Sequence, residues 1–133
     1  MKKIKVAIVD DHALIREGIK KLLELEDAFD IVALAGDGYE ALELIKTTRP
    51  DVVLLDINMP RMNGLEFLSA LRRDPELKRS VVFVLTTSNR DEDIMAAYDG
   101  QIAGYLLKSK VSEDFLAFVK LLNLYQVMIE IPR

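Results

Sequence analysis

The sequence contains no cysteine and no tryptophan, and it has one histidine and four prolines. The absence of cysteine excludes disulfide bonds, thiolate metal sites and cysteine nucleophiles. Its longest apolar runs, such as residues 52–55 and 81–85, are far shorter than the ~20 residues of a membrane helix. Asp10 and Asp11 interrupt the first apolar stretch, which argues against a signal peptide. We therefore expect a soluble, cytoplasmic protein that does not associate with membranes.

The charges are nearly balanced, with 18 Lys and Arg residues against 22 Asp and Glu residues and a net charge of −4. Modest acidity argues against a surface that grips nucleic-acid phosphates. Half of the 133 residues are hydrophobic, which suffices for one core, and two domains would be cramped in this length. We expect one domain over residues 1–133, no effector domain and no direct nucleic-acid partner.

Short runs rich in β-branched residues alternate with segments of helical periodicity. Strands are predicted at residues 4–9, 31–35, 52–55, 81–85 and 103–107, and helices at 13–25, 39–46, 64–73, 91–98 and from 112 onward. Buried-type strands that alternate with helices predict an α/β fold, with a parallel sheet covered on both faces. Sheets of this kind bind ligands at the carboxyl ends of their strands.

Polar residues follow four of the predicted strands. Asp10 and Asp11 end the first, Asp56 the third and Thr86 the fourth, and Lys108 ends the fifth. Carboxylates that converge repel one another, and a hard divalent cation such as Mg²⁺ relieves that repulsion. A carboxylate beside such a cation can attack a phosphoryl group, whose oxygens an ammonium and a hydroxyl can bind. The pattern indicates phosphoryl-transfer chemistry.

The chain resembles the receiver domain of two-component response regulators over nearly its whole length. The resemblance rests on an ordered combination of residues: Asp10, Asp11, Asp56, Met59, Pro60, Gly64, Thr86 and Lys108. The resemblance implies a flavodoxin-like (βα)5 fold, chemotaxis-regulator-like, with a five-stranded parallel sheet in the order 2-1-3-4-5. The segment Val9-Asp10-Asp11-His12 looks like receivers that carry a DNA-binding helix-turn-helix. The C-terminal half looks like stand-alone regulators of bacterial phytochrome-type kinases.

The same resemblance implies roles for the acidic residues. Asp56 is expected to accept a phosphoryl group from a sensor histidine kinase or a phosphotransfer protein. Asp10, Asp11, Asp56 and the backbone carbonyl of Asn58 are expected to hold Mg²⁺, or Mn²⁺. Self-catalysed phosphotransfer and autodephosphorylation are then expected, without the turnover of a classical enzyme.

Switching is expected from residues near the fourth and fifth strands. By resemblance, Thr86 and Lys108 contact the phosphoryl group and Tyr105 turns inward with Thr86, which changes contacts with a downstream protein target. Two departures fall on this face: Ser109 stands where the family usually has proline, and Gln101 alters the entry to the fifth strand.

The last helix and tail, about residues 112–131, carry two apolar stripes. One stripe suffices to pack on the sheet, so the second favours a homodimer formed through this segment. The alternative is a tail that folds back over its own domain.

Simpler interpretations of single residues stay open. Asp10 and Asp11 suit the N-terminus of the first helix, Lys108 suits a solvated strand end, and Thr86 and Tyr105 suit ordinary strand packing. His12 suits a solvated or capping position better than a metal site or a phosphoryl relay. Two other functions also stay open: a phosphatase with an aspartyl nucleophile, which usually needs an acid where Asn58 stands, and a scaffold that has lost switching.

Overall fold

The computed structural model describes residues 3–57, 59, 61–78, 80–86, 102 and 104–107, and at residues 86 and 105–107 it describes the backbone alone. Within these residues, eight elements follow one another: β1 (Ile4–Val9), α1 (Ala13–Glu24), β2 (Phe29–Ala35), α2 (Gly38–Thr48), β3 (Val52–Asp56), α3 (Gly64–Arg73), β4 (Val81–Thr86) and β5 (Gly104–Leu107). The helices predicted at 91–98 and from 112 onward lie outside the described residues, as does the expected dimerisation segment.

The strands form one parallel sheet in which β1 lies between β2 and β3, and β4 follows β3 on the other side. The backbone of residues 104–107 pairs in parallel with β4. The predicted parallel sheet and the order 2-1-3-4 are therefore confirmed. The strand at the middle, β3, is buried at every position, as expected for a strand covered on both faces.

The two faces of the sheet are covered by different helices. On one face, Ile19 and Leu23 of α1 pack among Ile4, Val6 and Ile8 of β1. On the other face, the apolar sides of α2 and α3 pack against the alternate residues of the same strands; this cluster includes Ala7, Val9, Ala41, Ile45, Val53, Leu55, Phe67, Leu68 and Leu71. This alternation follows from the period of two along a strand. Within the described part of the chain, no helix has the length and apolar character that a membrane span requires.

The amino ends of the strands are fastened by Asp51, a buried acid that the sequence patterns did not single out. Its Oδ2 accepts a hydrogen bond from the backbone N–H of Lys5 at 2.9 Å, and its own N–H donates to the Lys5 carbonyl at 2.8 Å. Its carbonyl accepts from the N–H of Val81 at 3.0 Å. Asp51 thus joins β1, β3 and β4 at the edge of the sheet opposite the predicted site.

Candidate functional site

Asp10 and Asp56 lie next to each other at the carboxyl ends of β1 and β3. The two strands pair in parallel with Val9 opposite Leu55, so the residue after each pair projects from the same edge. Both acids are fully buried. Two carboxylates brought together away from water repel each other strongly unless cations or hydrogen-bond donors offset their charge.

Asp11 and His12 complete a compact cluster with these acids. One ligand atom from each of Asp10, Asp11, His12 and Asp56 lies within 4.8 Å of every other. The Nδ1 of His12 lies 3.1 Å from Asp10 Oδ1, 3.2 Å from Asp11 Oδ1 and 4.0 Å from Asp56 Oδ2. The three predicted acids are thus brought together, and the structure adds a histidine that sequence reasoning had assigned to solvent or to capping.

The loop between β1 and α1 positions this cluster through its backbone. His12 occupies the N-cap of α1 but makes no side-chain capping bond there. Its N–H donates to Asp10 Oδ1 at 2.7 Å, so the Asp10 carboxylate is fixed by the loop, and neither Asp10 nor Asp11 takes the N-cap. The Nη1 of Arg16 donates to the Asp10 carbonyl at 2.6 Å, which fastens α1 to the end of β1.

Gly64, at the start of α3, lies directly against the backbone of Asp56. A Cβ atom at Gly64 would overlap the Asp56 carbonyl oxygen and the Cα of Ile57. The Gly64 N–H also donates to the Ile57 carbonyl at 3.2 Å, and Asn63 and Glu66 form a capping box that begins the helix here. A glycine is needed at this point because of the close approach of two backbones.

The loop after Asp56 is also braced against the start of α2. The N–H of Gly38 donates to the Met62 carbonyl at 3.2 Å, and a Cβ at Gly38 would lie 2.6 Å from Met62 Cγ. Arg61, which has a positive φ of 65°, places Nη1 3.2 Å from Asp37 Oδ2 and its guanidinium over the ring of Tyr39 at 5.6 Å. This loop therefore has two supports outside the acidic cluster.

The donor set fits a hard divalent cation. Three carboxylates supply the oxygen ligands that Mg²⁺ and Mn²⁺ prefer, and their spacing within 4.8 Å matches a single ion. Among the described residues, Asp11 Oδ1 is buried and accepts no hydrogen bond. A cation would coordinate that oxygen and offset the mutual repulsion of the acids.

The other predicted site residues are described only in part. The backbone of Thr86 ends β4 one position beyond Leu85, which pairs with Asp56, so Thr86 lies at the same edge as the acids. The backbone of Tyr105 pairs with Val84 in β4. Asn58 and Lys108 lie outside the described residues, and their roles stay predictions.

Comparison with known proteins identifies a family for this arrangement. The model of the response regulator receiver domain matches residues 6–120. The nitrate/nitrite response regulator protein NarP of Escherichia coli is 43% identical over 116 residues, which are 87% of this chain and 53% of that protein. The chain thus spans about half the length of the curated relatives that it matches.

Two solved structures of response regulators superpose on the chain. The phosphorylated cyanobacterial phytochrome response regulator RcpA superposes with a TM-score of 0.83 at 30% identity, over 98% of this chain and 99% of that one. A DNA-binding response regulator of the LuxR family from Staphylococcus aureus superposes with a TM-score of 0.78 at 30% identity, over 90% of this chain and 98% of that one.

The second structure corrects one expectation. We expected protein partners only, with no direct nucleic acid. This expectation is wrong, because a regulator that is 30% identical to this chain is a DNA-binding protein. The net charge of −4 describes only the surface that these residues form, so it did not exclude a regulator that works with DNA.

The clustered acids at the strand ends, the parallel sheet and the family match over residues 6–120 lead to one conclusion. The chain belongs to the response regulator receiver domain family, the phosphoacceptor signalling domains of two-component systems.

Proposed function

We propose that Asp56 is the residue that accepts the phosphoryl group in this receiver. The observation that carries the proposal is the position of Asp56, fully buried at the end of the central strand β3 within 4.8 Å of two further acids and an imidazole. Asp10 and Asp11 are the acids that hold the cation. Asp56 is the better acceptor because it lies on the middle strand, between the acids after β1 and the end of β4.

The transfer is a displacement at phosphorus. An oxygen of the Asp56 carboxylate forms a new O–P bond while the P–N bond of a phosphorylated kinase histidine breaks, and the electron pair of that bond stays on the imidazole. With a small acyl phosphate as donor, the P–O bond breaks instead and the pair stays on the carboxylate that leaves. Positioning and charge stabilisation are the main demands of such a step on the protein.

Asp10, Asp11, Asp56 and the Asn58 carbonyl are the proposed ligands of Mg²⁺ or Mn²⁺. When bound, the cation offsets negative charge on the phosphoryl oxygens. The chain's own contribution is to hold the acids in place: His12 N–H and Arg16 fix Asp10, and the close contact with Gly64 fixes the backbone of Asp56.

Thr86 and Lys108 are proposed to bind phosphoryl oxygens, and Tyr105 to follow Thr86 between two states of the domain. The register of β3 and β4 pairs Asp56 with Leu85, the residue before Thr86, and this supports the role proposed for Thr86. The proposal includes the complete (βα)5 fold in one domain and slow self-catalysed loss of the phosphoryl group. The likeness to nitrate/nitrite response regulators and to a DNA-binding regulator supports gene regulation as the process that phosphorylation controls.

An intact-mass experiment tests the acceptor. Incubation with acetyl phosphate and Mg²⁺ is expected to add one phosphoryl group to the wild type and none to Asp56→Asn. Asp30→Asn is the matched control, because Asp30 is an exposed acid on β2, away from the cluster. Absence of the added mass in the wild type, or its persistence in Asp56→Asn, would overturn the proposal.

The same samples separate the two alternative functions. A phosphatase would turn over a generic phosphate ester many times per protein molecule, whereas a receiver takes one phosphoryl group. A scaffold that has lost switching would show the same tyrosine environment and oligomeric state with and without beryllofluoride, the phosphoryl mimic.

A further inference from the structure

The outer face of α3 carries an open groove with a charged residue toward each end of the helix. Phe67, Leu68 and Leu71 face the sheet and are buried. The opposite side of the helix lines the groove, which has a volume of about 430 Å³ and is formed by Met62, Leu65, Glu66, Ser69, Ala70 and Arg73. Glu66, Ser69 and Arg73 are exposed, and the other three residues are half-buried. The groove therefore has an apolar floor and polar residues that are open to solvent.

Glu66 and Arg73 lie on the same side of α3 because their spacing is close to two helical turns. Their backbones are separated by about 10 Å along the helix axis. Charged side chains of one helix pair at spacings of three or four residues, so these two are too far apart to pair within one chain. Within the described part of the chain, neither residue takes part in an ion pair.

A second copy of the chain would bring both charges to opposite partners. In two α3 helices packed antiparallel about a two-fold axis, Glu66 of one copy lies beside Arg73 of the other, and the same pair forms again on the far side of the axis. The midpoint of this spacing falls between Ser69 and Ala70, where the helices cross. Both side chains are small, so the two backbones can approach closely at this point.

The helix dipoles favour the same antiparallel arrangement. The amino end of a helix carries a partial positive charge and the carboxyl end a partial negative charge, so antiparallel neighbours attract. Glu66 lies in the first turn of α3, and Arg72 and Arg73 lie in its last turn. Antiparallel packing places the acid of each copy against the bases of the other, whereas parallel packing would place like charges together. The charge pattern thus specifies one orientation.

We propose that the outer face of α3 is a docking surface for a second copy of this chain, joined by reciprocal pairs of Glu66 and Arg73 around Ser69 and Ala70. The groove contains no member of the acidic cluster, so this dimer does not depend on Asp56 as the acceptor. It also differs from the dimer expected through residues 112–131. Two helices of ten residues bury less than the standard interface of about 1,600 Å², so the dimer is weak and depends on concentration.

Sedimentation equilibrium of the full chain with exchanged charges tests the pairing. Glu66→Lys and Arg73→Glu are each expected to raise the dissociation constant of the dimer by about tenfold or more, because the two-fold axis repeats each like-charge contact. An equimolar mixture of the two variants is expected to dimerise about as well as the wild type, since every pair across the interface again joins opposite charges. This recovery also excludes misfolding as the cause, although Glu66 accepts a capping bond from the Asn63 N–H at 3.1 Å.

Glu17→Lys and Lys21→Glu are the matched controls. They make the same changes of charge at exposed positions of α1, which lies on the other face of the sheet. Both are expected to leave the dissociation constant within about twofold of the wild type, as surface changes outside an interface do. Ser69→Tyr tests the crossing point without a change of charge. It is expected to weaken the dimer by about tenfold by holding the helices apart, whereas Ser69→Ala is expected to preserve it.

Three results would overturn the inference. The first is a wild type that stays monomeric up to about 1 mM, the upper end of dissociation constants for weak complexes. The second is a dimer that persists in both Glu66→Lys and Arg73→Glu, because it would then form through another surface. The third is an equimolar mixture of these variants that stays monomeric under conditions in which the wild type dimerises.

Discussion

The guanidinium of Arg16 donates a hydrogen bond to the backbone carbonyl oxygen of Asp10 at 2.6 Å, which ties the first helix to the end of the first strand. Loss of this bond in Arg16→Ala is expected to lower the free energy of unfolding by about 1.5 kcal/mol, the lower range for a hydrogen bond from a charged group. Urea unfolding measures the change. Lys21→Ala is the control on the same helix, since Lys21 is exposed, and a shift beyond about 0.5 kcal/mol is not expected for it. Equal effects of the two substitutions would contradict a specific role for Arg16.

Two glycines provide a matched pair. In Gly64→Ala the new methyl group would meet the backbone of Asp56 and Ile57, whereas a Cβ at Gly18, within α1, has no atom within 4 Å. We expect Gly64→Ala to lower the free energy of unfolding by about 1–3 kcal/mol and to slow phosphorylation by displacing Asp56. Gly18→Ala is expected to raise that free energy by about 0.4–1 kcal/mol and to leave phosphorylation unchanged. Denaturant unfolding and the intact-mass assay measure both quantities, and a stabilised Gly64→Ala would contradict the described contact.

Much of the fold was predictable because its signals are local. The β-branched runs at residues 4–9 and 81–85 and the apolar period of residues 64–73 correspond to β1, β4 and α3 with boundaries within one residue. The second strand begins at Phe29, two residues earlier than the periodicity indicated, since its first residues are fixed by pairing with Ile4 and Lys5 rather than by their own pattern. The residues in a short stretch of sequence do not determine which strand it pairs with or in which register.

The candidate site, like the fold, was predictable only in part. The convergence of Asp10, Asp11 and Asp56 followed from strand ends that share an edge. The direction of the His12 ring did not, because it depends on the backbone path of the loop into α1. Arg16 and Asp51 were also missed, since their bonds join residues that only the folded topology brings together. An acid that precedes a buried strand, as Asp51 does, is the one local signal that was present.

The acidic cluster is expected to be a source of instability without a cation and of stability with one. In EDTA, Asp56→Asn is expected to raise the free energy of unfolding by about 1 kcal/mol, because it removes one of three mutually repelling charges. At a Mg²⁺ concentration of about 100 times its dissociation constant, the wild type is expected to gain about 2.7 kcal/mol and Asp56→Asn clearly less. Denaturant unfolding in the two buffers measures this. Equal gains by the wild type and Asp56→Asn would contradict the assignment, and Asp30→Asn should behave as the wild type.

Arg72 and Arg73, at the end of α3, differ in their contacts. Arg72 Nη1 donates to the carbonyls of Lys78 and Ser80, each at 2.8 Å, whereas Arg73 is exposed. Burial of the guanidinium lowers the pKa of Arg72 below its ordinary value, because burial disfavours the charged form. We expect Arg72→Ala to lower the free energy of unfolding by about 2–3 kcal/mol and Arg73→Ala by less than about 0.5 kcal/mol. Thermal and urea unfolding measure the difference between the two variants. Similar values for both would show that the hydrogen bonds of Arg72 do not stabilise the turn before β4.

The central claim is that the phosphoryl group resides on the carboxylate of Asp56. Borohydride reduces an acyl phosphate to an alcohol and thereby converts a phosphorylated aspartate into homoserine, which peptide mass spectrometry locates in the sequence. After incubation with acetyl phosphate and Mg²⁺ followed by reduction, the account predicts homoserine at position 56 and at no other aspartate. Homoserine at Asp10 or Asp11, or a phosphoryl group that survives reduction on a hydroxyl side chain, would contradict it.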